Sequence, residues 1–347
     1  MLKILKALMS MITSQSQLTA FRPAWWLKNK HLQTLFPVLF PRKVKIPLLR
    51  EKFILPDGDF LFLDWSENKF EEKPVLVFLH GLGGSSDSHY IQGMMQTSIE
   101  KGFRSVCLHF RTCAEDSDKT PLKKGYHAGE TQDLNDFLEN LFANTHPAIP
   151  IFMVGYSLGG NVLLKWLGEN RCHSRIGAAV AVSVPFDLAE SANQLNTGFS
   201  RLYQWRLLRS LRKTVLGKIQ GNGKFVKNNK MLQKLNTFWE FDDKVTAPMH
   251  GFLNVHDYYS QSSSKHYLSK IKTPTLIIQA ADDPFFLKDA IPHPLTLPDC
   301  VKLEILSHGG HVGFIEGKMP FSPRFYLERR VMHYFLNELS NIAPYHG

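Results

Sequence analysis

The sequence predicts an α/β fold: a mainly parallel β-sheet with helices on both faces and a helical cap inserted late in the chain. Three observations carry this. Short, continuous apolar runs recur along the chain and end in turns, as strands buried on both faces do. Stretches with helical spacing of apolar residues lie between them. From residue 186 to 272 the apolar runs stop and helical periodicity takes over, over a length too great for a loop.

Taken in order, ILPDGDFLFLDW (54–65) splits at an Asp-Gly turn and fits a β-hairpin at a sheet edge. VLVFLH (75–80) is a buried strand that runs into HGLGG. FRSVCLHF (103–110), IFMVGY (151–156), AAVAVSVP (178–185) and TLIIQA (275–280) continue the series, and VKLEILS (301–307) reads as the last strand. HYIQGMMQTSIEKG (89–102), ETQDLNDFLENLF (130–142) and SLGGNVLLKWLGE (157–169) supply helices. The expected division is an N-terminal amphipathic segment over 1–20, a core over 21–185 and 273–347, and the cap over 186–272.

Composition sets the class. With 347 residues, 44% hydrophobic and 21% charged, the chain has the makings of a sizeable core and is not a disordered polymer. No apolar run reaches the roughly 18 residues needed to span a bilayer. MLKILKALMSMI resembles the start of a signal peptide, but Lys3 and Lys6 interrupt it and no small-residue cleavage site follows, so an amphipathic helix is expected. Cys107, Cys113, Cys172 and Cys300 form no CxxC pair and read as reduced thiols of a cytoplasmic protein.

The net charge of +10 is unevenly spread. Residues 1–50 hold nine Lys or Arg and no acid, and residues 191–239 hold ten and no acid, leaving the remainder at −9. Such a map suits an anionic partner. No nucleic-acid recognition motif accompanies it, so the anionic inner face of a membrane is the expected contact. RLYQWRLLRSLRKTVL (201–216) fits that use, or equally a cap helix packed by its apolar face with a solvated basic face. At helical spacing Tyr203, Leu207, Leu208, Leu211 and Val215 share one side. Arg201, Arg206, Arg209, Arg212 and Lys213 share the other, with Leu202, Trp205 and Leu216 among the cations.

GYSLG (155–159) matches G-x-S-x-G at a point where a buried strand gives way to a helix, the context of a nucleophile elbow. Gly155 and Gly159 suit the close backbone approach of that turn, and Ser157 would stand exposed at the strand end. A serine hydroxyl needs a base, and the base an orienting acid, in the chain order Ser, acid, His. Asp282 and Asp283 follow TLIIQA, and His308 and His311 follow VKLEILS. Two backbone donors should stabilise an oxyanion: the N–H of Leu158, and one from HGLGG, assigned to Leu82. His80, on that early loop, is expected to brace it.

Further stretches add to these: NKHLQTLFP (29–37), HGLGGSSDSHY, HFRTC, YHAGETQDL, FDDKVTAPMHGF, DYY, ADDPFF and HGGHVGF. In this order they resemble the YheT-like group of α/β-hydrolases, from about Phe21 to about Arg330. The resemblance implies an α/β-hydrolase fold, a nucleophile at Ser157, the acid at the ADDP position and the base at the second His of HGGH. It implies carboxylic-ester hydrolysis, with acyl transfer to alcohols in fungal relatives and phospholipid or acylglycerol hydrolysis in animal ones.

Within the pairs, the spacing small-x-x-Asp from Ala280 selects Asp283, leaving Asp282 to position the turn before Pro284. Gly309 and Gly310 allow the loop to fold back and bring His311, not His308, over the serine. His109 and His127 are expected to make structural hydrogen bonds near the pocket. No His, Asp and Glu set shows metal-ligand spacing, and neither metal nor cofactor is expected. Phe199, Tyr203, Trp205, Phe238, Trp239 and Phe241 are expected to furnish an apolar acyl pocket. The expected activity is a serine esterase acting on lipid-like esters. The rivals are an acyltransferase with the same triad and a non-catalytic lipid-binding module.

Overall fold

Each apolar run becomes a strand because its side chains are buried alternately on two faces. In β3 (Val75–Leu79), Val75, Val77 and Leu79 join one core and Leu76 and Phe78 the other, and all five are fully buried. The computed structural model describes residues 20–42, 44, 46–66, 72–114, 120–169, 174–218, 229–320 and 322–342. The amphipathic segment expected over 1–20 lies outside these but for Ala20.

The main sheet has eight strands in the order β1-β2-β4-β3-β5-β6-β7-β8. β1 (Leu49–Ile54) and β2 (Phe60–Trp65) form the expected edge hairpin, and β2 also runs antiparallel to β4 (Arg104–His109). β3, β4, β5 (Ile151–Tyr156), β6 (Ile176–Val182), β7 (Thr275–Ala280) and β8 (Val301–Leu306) are parallel. β8 closes the main sheet but is not the last strand. Ile315–Glu316 and Arg324–Phe325 pair antiparallel as β9 and β10, too short to leave a periodic signal.

Helix α1 (Lys30–Leu39) precedes the sheet, its first turn capped by the Asn29 side chain. α2 (His89–Glu100) covers one face, α3 (Gln132–Asn144) and α4 (Leu158–Gly168) the other. Between β6 and β7 come α5 (Leu188–Leu195), α6 (Ser200–Lys218), α7 (Asn229–Lys234), a composite helix over Phe238–Met249 with a π-helical turn at Asp242–Thr246, and α8 (Val255–Ser262). No strand interrupts them among the described residues. α9 (Tyr326–Asn341) packs beside α2.

α6 is amphipathic as its spacing predicts: Tyr203, Leu208 and Val215 are buried and Arg201, Arg206, Arg209 and Lys213 are exposed. Arg212 departs from that reading. It is half-buried and donates to the Leu235 carbonyl, because the chain after α7 returns across its end of the helix. Among the described residues no helix is long and apolar enough to cross a membrane.

Candidate active site

β5 hands over to α4 through Ser157 alone, whose φ of 52° and ψ of −119° lie where a side chain is strained. Such strain persists only where surroundings impose it. Here the Ser157 N–H donates to the Val182 carbonyl at 2.8 Å, while helix and strands leave no room beside the turn. A Cβ on Gly155 would lie 2.4 Å from the Gly159 carbonyl oxygen, and one on Gly159 2.5 Å from that of Leu79. The strain holds the serine hydroxyl out at the C-terminal end of the sheet.

The loop after β8 brings His311 to it. His311 Nε2 lies 2.9 Å from Ser157 Oγ, and Nδ1 lies 2.9 Å from Asp283 Oδ2. An ionised carboxylate only accepts, so Nδ1 carries the proton and Nε2 is left to accept from the hydroxyl. The Asp283 side chain is fully buried and its Oδ1 accepts from the Phe285 N–H at 2.9 Å. Burial raises its pKa, and the neighbouring His311 opposes that rise. Gly310, at φ 58°, makes the fold-back that His311 needs.

Asp282 and His308 are not part of this relay. Asp282 Oδ1 accepts the Gly310 N–H at 3.0 Å, tying the acid loop to the histidine loop instead of merely shaping its own turn. His308 sits 3.4 Å from the other Asp282 oxygen with its side chain 44% exposed.

The HGLGG loop is held by two tyrosines. Tyr90 Oη accepts the Gly81 N–H at 2.9 Å, and Tyr126 Oη accepts the Gly83 N–H at 2.8 Å. The Gly84 N–H donates to the Gly81 carbonyl. Among the described residues no acceptor engages the Leu82 N–H or the Leu158 N–H, the latter being one of the open donors at the start of α4. His80 braces the loop as expected: its Nε2 accepts the Phe110 N–H, so Nδ1–H donates to the Gly81 carbonyl. Burial pushes its pKa down to about 3, and it stays neutral.

Two clefts meet at Ser157. The inner one, about 110 Å³, runs under the helices between β6 and β7 and is walled by Leu188, Ala192, Leu195, Leu211 and Phe238. The outer one, about 480 Å³, opens between α1 and α6, with Val38 on one side and Arg206 on the other. Of the six aromatics expected to line an acyl pocket, only Phe238 lines the inner cleft. Tyr203 lines the outer one, Phe199 and Trp205 face solvent, Trp239 lies beside Tyr259 and donates to the Asn193 side chain, and Phe241 packs into the core. The helix faces toward the serine carry leucine and alanine, and the other aromatic walls are Tyr126, Tyr258, Tyr259 and Phe285. One buried acid, Asp242 on the π-helical turn, also lines the inner cleft. It accepts from Thr246 and Tyr259 hydroxyls, and burial pushes its pKa up to about 6.

The sequence profile of the alpha/beta hydrolase fold family matches residues 74–318. YheT of Escherichia coli (strain K12) is 41% identical over 314 residues, which cover 90% of this chain and 91% of that protein. The chain is a YheT-like α/β-hydrolase. A monoacylglycerol lipase of Saccharomyces cerevisiae is 33% identical over 72% of this chain and 57% of its own length. The human phospholipase ABHD3 is 29% identical over 86% of this chain and 75% of its own length.

In this YheT-like hydrolase several positions that the sequence left without a role hold the site. Thr34 Oγ1 accepts the His311 N–H at 2.9 Å, and the Gln33 amide bridges both backbone groups of Ile315. Phe285 stacks on the His311 ring. All lie inside stretches that carry the family resemblance, NKHLQTLFP and ADDPFF. His109 makes a buried contact to Asp64 at 2.8 Å, the structural role expected. His127 does more: with Glu130 and His250 it forms a cluster whose ligand atoms lie within 4.8 Å of one another. Sequence spacing missed it because His250 comes from the far side of the chain.

Proposed function

We propose that this protein is a serine esterase that cleaves lipid-like carboxylic esters through an acyl-enzyme at Ser157. The observation that carries the reading is the unbroken relay Ser157 Oγ, His311 Nε2, His311 Nδ1, Asp283, with 2.9 Å at each end. His311 takes the hydroxyl proton as Ser157 attacks the ester carbonyl, and Asp283 stabilises the imidazolium without taking the proton. The uncommitted N–H groups of Leu82 and Leu158 receive the oxyanion, and each such donor is worth about 3 kcal/mol of barrier. His311 then protonates the leaving alcohol and, in the second half, activates water.

The two clefts divide the ester. The largely apolar inner cleft takes the acyl chain, and the helices of 186–272 act as a cap that walls it. The outer cleft takes the alcohol. Relatives named as a monoacylglycerol lipase and a phospholipase point to acylglycerol-like esters.

The outer cleft opens onto a surface suited to an anionic membrane. α1 and α6 are joined there by His31, whose Nδ1 lies 3.1 Å from Tyr203 Oη and whose ring packs on Phe199. The joined helices present Leu39 and Phe40, and Leu202 and Trp205, each more than half exposed. Arg201 and Arg209 stand among them, and both helices come from the acid-free parts of the sequence.

The test is product analysis. Incubated with a monoacylglycerol, the protein should release free fatty acid, and Ser157→Ala should not. A dominant new ester when excess alcohol is added would assign acyl transfer instead. No product in either case would remove the reading.

A further inference from the structure

Outside the Ser157 relay, one cluster among the described residues has the chemistry of a ligand set. His127 and Glu130 lie on the loop between β4 and α3, and His250 ends the composite helix of the insert. His127 Nε2 is 3.5 Å from Glu130 Oε2, and the His127 and His250 rings lie 4.5 Å apart. In a tetrahedral site with bonds of about 2.0–2.1 Å, neighbouring ligand atoms are about 3.3 Å apart. One pair is already close to that separation, and the third ligand atom, within 4.8 Å of the others, needs to move by at most about 1.5 Å.

The loop that carries two of the ligands is built to hold them. The Ala128 N–H donates to Tyr258 Oη at 3.0 Å, and Asn161 donates to the Ala128 carbonyl at 2.8 Å. The Glu130 N–H donates to the His127 carbonyl, closing the turn that sets the two side chains side by side. Glu130 Oε1 is occupied by the Gln132 N–H, which leaves Oε2 facing the histidines. The His250 ring has no hydrogen-bond partner among the described residues.

We propose that His127, Glu130 and His250 bind one divalent transition-metal ion of the zinc class. Two imidazoles and one carboxylate suit such an ion better than calcium or magnesium, which prefer all-oxygen ligands. The site crosses from the core loop to the helical insert. His127 and Tyr258 also line the inner cleft, so the ion acts as a staple that fixes one wall of the cleft against the sheet.

Two features oppose the ion and sharpen the test. Lys124 Nζ lies 3.6 Å from Glu130 Oε2, and its partly exposed side chain must swing away. His127 Nδ1 accepts the Gly129 N–H at 3.2 Å. With metal on Nε2 that nitrogen carries the proton, so this one weak bond is exchanged for metal–ligand bonds.

The full-length protein, stripped with chelator, is incubated with Zn2+, desalted and assayed for metal. About one ion per chain should be retained, with a rise in thermal midpoint. His250→Ala and Glu130→Gln should each lower retention about tenfold or more. Lys124→Met should tighten binding several-fold by removing the competing cation. Co2+ in place of Zn2+ should give the visible bands of a four-coordinate ion in the wild type and not in His250→Ala. No retained metal, or retention unchanged in His250→Ala but lost in His311→Ala, overturns the proposal. Metal content is read without any ester, so a negative result leaves the esterase reading standing.

Discussion

The imidazole of His311 lies face to face with the phenyl ring of Phe285, with centroids 3.8 Å apart and planes 4° from parallel. Phe286 closes in edge-on from a second side. A base that must pass a proton between Ser157 and an alcohol gains from having its ring plane fixed, since small misplacements cost large factors in rate. Replacing Phe285 with Leu should lower kcat for a soluble ester about tenfold, and Phe285→Tyr should restore most of it. Wild-type kcat in Phe285→Leu would show that the stack does not orient the base.

Thr34 holds the same residue from the backbone side. Thr34→Val keeps the shape but leaves the His311 N–H without its acceptor, at a cost of about 1–3 kcal/mol. Denaturant unfolding should show a loss of that size and kinetics a lower kcat, while Thr34→Ser should be near wild type. Equal stability and kcat in the valine variant would remove Thr34 from the positioning of His311.

The two neighbouring aspartates should separate sharply. Asp283→Asn removes the charge that fixes the His311 tautomer and should lower kcat about 10⁴-fold. Asp282→Asn weakens the contacts to Gly310 and His308, neither of them in the relay, and should cost about tenfold or less. The reverse ranking, measured on one soluble ester, would reassign the acid.

Buried neutral histidines set the acid limit of stability. His80 and His89 are held down to about 3 and about 4 by burial, from 6.5. Below pH 6.5 the unfolded chain takes up protons that the folded chain refuses, so their contribution is present above that pH and is lost as pH falls toward 4. Asp242, raised to about 6, acts in the opposite sense over a narrower range. The thermal midpoint should therefore fall from pH 6.5 to pH 4, with a shallower slope in His80→Gln. An identical slope in that variant would exclude His80 as a source.

The surface around the outer cleft should bind anionic vesicles. Arg201→Glu with Arg209→Glu should reduce co-sedimentation with phosphatidylglycerol-containing vesicles about tenfold, and Phe40→Ala with Trp205→Ala should also reduce it. Turnover of a soluble short-chain ester should stay unchanged. Equal binding of wild type and charge-reversed protein would end the membrane reading.

The strands and the serine turn were legible in the sequence because both are local. Apolar runs report burial on two faces, and G-x-S-x-G reports one tight turn. The order of Asp283 and His311 after late strands was legible for the same reason. What was not legible depends on contacts between distant segments. Thr34 meets His311 across 277 positions, and His250 meets His127 only after the insert folds back over the core. The lining of the inner cleft was misjudged because aromatic content says nothing about which way a side chain points. Phe199 and Trp205 face solvent, and leucines together with Tyr126, Tyr258, Tyr259 and Phe285 line the cleft instead.

The central claim is that Ser157 forms an acyl-enzyme, and labelling with a fluorophosphonate probe tests it most directly. The account predicts one probe per chain, attached at Ser157 by mass spectrometry, absent in Ser157→Ala and strongly slowed in His311→Ala. Labelling that persists in Ser157→Ala, or a folded wild-type protein that resists the probe, would contradict it.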